Sequence, residues 1–170
     1  SHLIGSARKE MSEVLRGLGH EVVMMPQEST PNGAIETAGD GHKFRDFYRE
    51  HQDEIDGVIV CLPNFGDENG MAAALESVDV PVLIHAYPDE IDKLDPAHRR
   101  DAFCGKLSIM DVLKQHRTRF TNLVPHTVHP MSDDFTANIS EFARTCKVVR
   151  SVKGLVVGAV GARTTPFKTV

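Results

Sequence analysis

The stretch LPNFGDENG, residues 62–70, gathers Asn64, Asp67, Glu68 and Asn69 into one short loop. Amide and carboxylate groups so crowded can bind hydroxyls through paired donor and acceptor contacts. Gly66 and Gly70 would allow the loop unusual backbone angles. The same residue types are also ordinary turn and capping groups, and Asp67 or Glu68 favours the N-terminus of a following helix. A second stretch, FCGK at 103–106, sets Cys104 near Lys106 and Arg99 or Arg100, cations that would favour a thiolate; the alternative is a buried small residue. In HTVHP, His126 and His129 stand three apart with Asp133 and Asp134 close behind. That spacing suits a metal on a helix face, but Pro125 and Pro130 bracket the pair in irregular chain, so no metal is assigned. DGHKFR has Arg45 where a cobalamin-type D-x-H-x-x-G loop needs Gly, and GAVGAR has too few glycines for a dinucleotide loop. His85 ends an apolar run and reads as a core or rim histidine.

The elements that must carry these groups alternate. Leu3, Ile4, Ala7, Met11, Val14, Leu15 and Leu18 recur every three or four residues, and Gly19 follows as a C-cap, so the chain opens on a helix. Residues 21–25 read as a strand, and a polar loop then leads to a helix with Phe44, Phe47, Tyr48, His51 and Ile55 on one face. GVIVCLP is a strand, NGMAAALESV a short helix and VPVLIHAY another strand; a turn-rich stretch precedes a helix over 108–116. A short strand is expected near Leu123 and Val124. Ser132 or Asp133 then caps a helix that turns Phe135, Ile139, Phe142, Ala143 and Cys146 inward and leads to an apolar strand over 154–160.

Such alternation predicts an α/β fold, doubly wound, of flavodoxin-like or Rossmann-like kind, with a parallel sheet covered by helices on both faces. A helix delivered straight into a strand is the second half of a β-α-β unit, so the first strand is expected to be missing from this chain, and the chain to be a piece of a longer protein. Residues 1–160 are expected to form one domain, with 161–170 starting a connection onward. In these sheets ligands sit outside the carboxyl ends of the strands. That places the loop after Cys61 and HAYPDE at the crevice.

Composition narrows the partners. The 170 residues are 41% hydrophobic and 25% charged, which suits one buried core. A net charge of -5 carries no basic footprint for nucleic acid. Cys61, Cys104 and Cys146 are odd in number and lack a C-x-x-C pair, which predicts a reducing, cytoplasmic setting without disulfides or structural zinc. No apolar stretch approaches the roughly 20 residues of a membrane helix.

IDGVIVCLPNFGDENGMAAALESVDVPVLIHAYPDEID, DAFCGKLSIMDVL and GLVVGAVGARTTPFKTV together resemble the amino-terminal domain of the L-fucose isomerase and L-arabinose isomerase family. Asp101 to Cys104 depart from arabinose isomerases, which carry a glutamine and a histidine there. The resemblance implies a first domain of a three-domain aldose–ketose isomerase that works through an ene-diol with a divalent metal, usually manganese. Its metal ligands lie in later domains, so no catalytic or metal role falls on this chain and no cofactor is expected in it. The first domain is expected to supply substrate lining and contacts in a homo-oligomer, through Asn64, Phe65, Asp67, Glu68 and Asn69 and through Cys104, Gly105 and Lys106, with a small sugar as ligand. A flavin- or nucleotide-binding domain and a non-catalytic sugar-binding domain are the alternatives from other classes.

Overall fold

A computed structural model describes residues 2–96, 98–158 and 160–161. The elements run α1 (His2–Gly17), a 3-10 turn (Gln27–Ser29), α2 (Ala38–His51), β1 (Val58–Leu62), α3 (Glu68–Leu75), β2 (Val82–Ala86), α4 (Ala102–Gln115) and α5 (Asp133–Lys153). The fold is α/β, with five helices and a two-stranded parallel sheet among the described residues. β1 and β2 pair in register from Val58 with Val82 to Leu62 with Ala86.

Side-chain alternation along this ladder makes two cores. Val60 and Leu62 pack with Val82, Ile84 and Ala86 against Met71 and Leu75 of α3 and Ile109 and Leu113 of α4. On the opposite face, Ile59, Cys61 and Leu83 meet Met11 and Leu15 of α1 and Phe135, Ile139, Phe142 and Cys146 of α5. A parallel ladder needs this double cover, because both of its faces are apolar. α2 lies outside α3, and the approach requires Gly41: a Cβ there would lie 2.3 Å from the Gly70 carbonyl oxygen.

The helical periodicities hold in α1 and α5, while Leu18, which is exposed, and Ile55 lie past the ends of α1 and α2. Ile4, Ala7, Met11 and Leu15 are buried, and α1 closes with the His20 N–H on the Leu15 carbonyl, Gly19 taking a positive φ of 87°. Ser132 caps α5 by accepting from the Phe135 N–H at 3.2 Å.

Three expected strands differ. Residues 21–25 form no ladder, although Val22 packs into the α1–α5 core and Met25 is buried. A strand exists only with a hydrogen-bonding neighbour, and no described residue offers one there. The strand expected over 154–160 is likewise absent from its described part: Leu155, Val156 and Val157 are exposed and unpaired in any ladder, and residue 159 lies outside the described residues. The strand expected near Leu123 is a single parallel bridge between Thr121 and Leu83. The helix expected at Ser108 starts six residues earlier, at Ala102. The carboxylate of Asp89 accepts from the N–H groups of Arg100 at 2.8 Å and Asp101 at 3.0 Å and turns the chain into α4 sooner. The connection expected over 161–170 lies outside the described residues except for Gly161.

Asp79, just ahead of β2, ties the layers together. Its carboxylate accepts from the Tyr48 hydroxyl of α2 at 2.7 Å and pairs with Lys153 at the end of α5. Tyr48 is almost fully buried. Tyr48→Phe keeps the ring and removes the donor, so it is expected to lower unfolding free energy by about 1–2 kcal/mol in urea denaturation, with an unchanged m-value.

Candidate functional site

The carboxyl ends of β1 and β2 open onto a junction where two backbones touch. A Cβ on Gly105 would lie 1.8 Å from the Phe65 carbonyl oxygen, so glycine alone lets the first turns of α4 seat against the loop after β1. This contact brings the two predicted stretches together. Asn64 and Phe65 are exposed on the loop, and Phe103 and Cys104 are exposed on the helix. Asp67 caps α3, accepting from the Gly70 N–H at 2.6 Å, and Glu68 accepts from the Ser108 hydroxyl of α4. Asp67 and Asn69 also line a shallow hollow with Glu36, Thr37, His42 and His116.

FCGK is therefore the start of α4 rather than a turn ahead of it. Cys104 is exposed, not the buried small residue that was the alternative. The cations near it in sequence point elsewhere: Arg99 pairs with Asp101 at 2.7 Å and Arg100 with Glu90 at 2.9 Å. Lys106 turns inward, is buried and donates to the His126 carbonyl at 2.8 Å. Burial without a carboxylate partner lowers its pKa from 10.5 to about 8.

The strand ends hold polar groups that no local motif announces. His85, the fourth residue of β2, is buried; its Nε2 lies 2.8 Å from the Val128 carbonyl, while Nδ1 has no partner. Burial lowers its pKa from 6.5 to about 4. Beside it, Tyr87 donates to Glu10 of α1 at 2.7 Å, and its ring lies under the Arg100 guanidinium at 5.3 Å. Burial and then the bond to Glu10 raise the Tyr87 pKa. Burial, with Glu10 nearby, pushes the Cys61 thiol up to about 12, so it stays protonated at neutral pH. His129 stands 3.7 Å from Glu10. Glu10, Tyr87, Arg100 and His129 come from four separate segments; the sequence marked His129 within HTVHP, Arg100 near Cys104 and Tyr87 within HAYPDE, each for a different reason, and nothing in it marked Glu10 or joined the four.

His126 and His129 do not converge. His126 faces Asn122 at 3.5 Å, and His129 faces Glu10 and the Met131 N–H. Among the described residues no group of three or more His, Cys, Asp or Glu side chains is placed to hold a metal ion. No described helix is long and apolar enough to cross a membrane.

The two buried bases set a pH dependence. Each has a folded pKa below its unfolded value, so the unfolded chain binds more protons in the interval between them, and stability rises with pH there. His85 contributes a rise from about pH 4 to 6.5 and Lys106 a rise from about pH 8 to 10.5. Denaturation across pH is expected to show both rises; His85→Gln should flatten the acid one and Lys106→Met the alkaline one.

Comparison with known proteins agrees with the resemblance seen in the sequence. No curated protein and no solved structure matches the chain. A family described as fucose/sulfoquinovose isomerase, N-terminal domain, matches residues 1–153, from the opening helix to the last residue of α5. The match spans both helix layers, the parallel ladder and the strand-end junction, and on that extent the chain belongs to the family of fucose/sulfoquinovose isomerase N-terminal domains.

Proposed function

We propose that the chain is the substrate-lining and subunit-contacting first domain of a metal-dependent aldose–ketose isomerase acting in the cytoplasm. The observation that carries this reading is the family match over residues 1–153. The surface supports it. Phe65, Phe103 and Leu107 are exposed apolar side chains at and beside the Phe65–Gly105 junction, the kind of surface a second subunit covers. Asn64, Asn69 and Cys104 are exposed as well, and in this reading they would contribute to the sugar lining.

The residues of this domain do not fit a manganese ion: the two histidines of HTVHP have separate partners, and no described cluster supplies three ligands. The divalent metal belongs in this reading to later parts of the full-length polypeptide, where it would polarise the sugar oxygens. The work assigned to this chain is to position the ligand and exclude water. The sheet is read as part of a doubly wound, flavodoxin-like arrangement. Helices on both faces of the ladder and the parallel bridge at Thr121 support that reading, with a further strand on the free edge of β1, residues 1–160 as one domain and 161–170 leading onward.

The test uses the full-length polypeptide with manganese and L-fucose or L-arabinose, following ketose formation by NMR. Conversion of at least one sugar is expected; none with either sugar overturns the reading. Cys104→Trp, at an exposed position, should lower kcat/KM at least about tenfold with unchanged melting temperature and oligomer size. Mixing it with a variant lacking the metal ligands should restore part of the activity through hybrid oligomers. Full activity in Cys104→Trp, or no recovery despite proven subunit exchange, removes the cross-subunit role.

A further inference from the structure

Glu10 and His129 sit 3.7 Å apart, Oε1 to Nε2, with side chains 28% and 50% exposed. That separation is too long for a direct hydrogen bond. The other oxygen of Glu10 is occupied, because the Tyr87 hydroxyl donates to Oε2 at 2.7 Å. The other nitrogen of His129 is occupied too: Nδ1 accepts from the Met131 N–H at 3.3 Å. An imidazole that accepts at Nδ1 carries its proton on Nε2 when neutral. The gap is therefore flanked by one acceptor, Glu10 Oε1, and one donor, His129 Nε2–H. Behind it stand the edge-on ring of Tyr87, 5.7 Å from the His129 ring, and Arg100 stacked on Tyr87.

We infer that Glu10 and His129 form a hydroxyl-binding subsite for a neutral sugar at the carboxyl end of β2. An oxygen about 2.8 Å from both atoms fits a base of this length, and it must donate to the carboxylate while accepting from the imidazole. A hydroxyl does both. A carboxylate, phosphate or sulfonate oxygen has no proton to give Glu10, and an ammonium cannot accept from His129. Tyr87 holds the carboxylate and the Met131 N–H holds the ring, so neither flanking group needs to reorganise on binding. Fastening α1 to β2 would need only the Tyr87 bond and would not account for a second oriented donor facing the free oxygen. The inference rests on the sugar-isomerase reading and adds to it where the sugar's hydroxyls are held.

L-fucose and sodium acetate are titrated separately into the chain, following the Hε1 proton resonance of His129 by NMR. L-fucose is expected to shift it saturably with Kd about 1–10 mM, and acetate is expected to leave it unmoved. In Glu10→Gln the amide oxygen can still accept from Tyr87, but its NH2 faces the imidazole N–H. Binding should weaken at least about tenfold with an unchanged melting temperature. His129→Phe keeps a ring and loses the donor; it should show the same loss in calorimetry and stands in should Glu10→Gln misfold. No saturable shift with L-fucose, an equal response to acetate, or unchanged affinity in both variants overturns the subsite. In the full-length polypeptide, ketose formation with KM unmoved by both substitutions overturns the subsite alone. Absence of ketose overturns the isomerase reading, and the fucose titration of the chain still decides the subsite.

Discussion

The parallel pairing of β1 with β2 is the constraint on which the rest of the molecule depends. Two five-residue strands are too little sheet to stand alone in water. Their stability comes from what covers them, α3 and α4 on one face and α1 and α5 on the other. The dependence is mutual, since each helix layer has the strands as its inner wall. Asp79 strengthens that mutual hold where β2 begins, by bonding to α2 and α5 at once.

The same ladder sets where chemistry can occur. Strands that run in one direction end together, and their last residues, Leu62 and Ala86, are paired in register. The loops leaving them therefore start side by side, and Gly105 lets α4 close the space between them by direct backbone contact with Phe65. Groups far apart in the chain meet at this end: Glu10 and Tyr87 are 77 residues apart, and His85 and Val128 are 43 apart. Lys106 and His85 both bond to carbonyls of the 126–128 segment and hold it over the strand ends. Burial disfavours charge on either side chain, and at His85 the bond to the Val128 carbonyl works against that effect.

What could be read from the sequence divides along a physical line. Helices are local objects, and the spacing of Met11 and Leu15, or of Phe135, Ile139 and Phe142, displays them directly. Val58–Leu62 and Val82–Ala86 were legible as apolar runs, because each has the other as neighbour. Residues 21–25 and 155–158 carry the same kind of pattern and are not strands, since pairing is a property of two segments and a single segment cannot report it. The start of α4 was misplaced because the group that turns the chain, Asp89, lies twelve residues before Asp101. Asn64 to Asp67 were legible as a loop and a helix cap, and Cys104 to Lys106 were misread as a turn although they lie in the first turns of α4; the Glu10, Tyr87 and His129 constellation was not legible, because no spacing rule joins an internal helix residue, a strand end and a proline-flanked loop.

The valine-rich run after α5 has a further consequence. Leu155, Val156 and Val157 are bare, Val148 and Val152 continue the apolar surface up the helix, and among the described residues no strand pairs with the outer edge of β1. A β-branched segment without charge is the composition from which cross-β stacks grow, and an open ladder edge is a template for them. Kept apart from a covering partner, the chain would thus trade its solubility against concentration. A charged residue at Val156, facing water already, would act as a gatekeeper without disturbing either core.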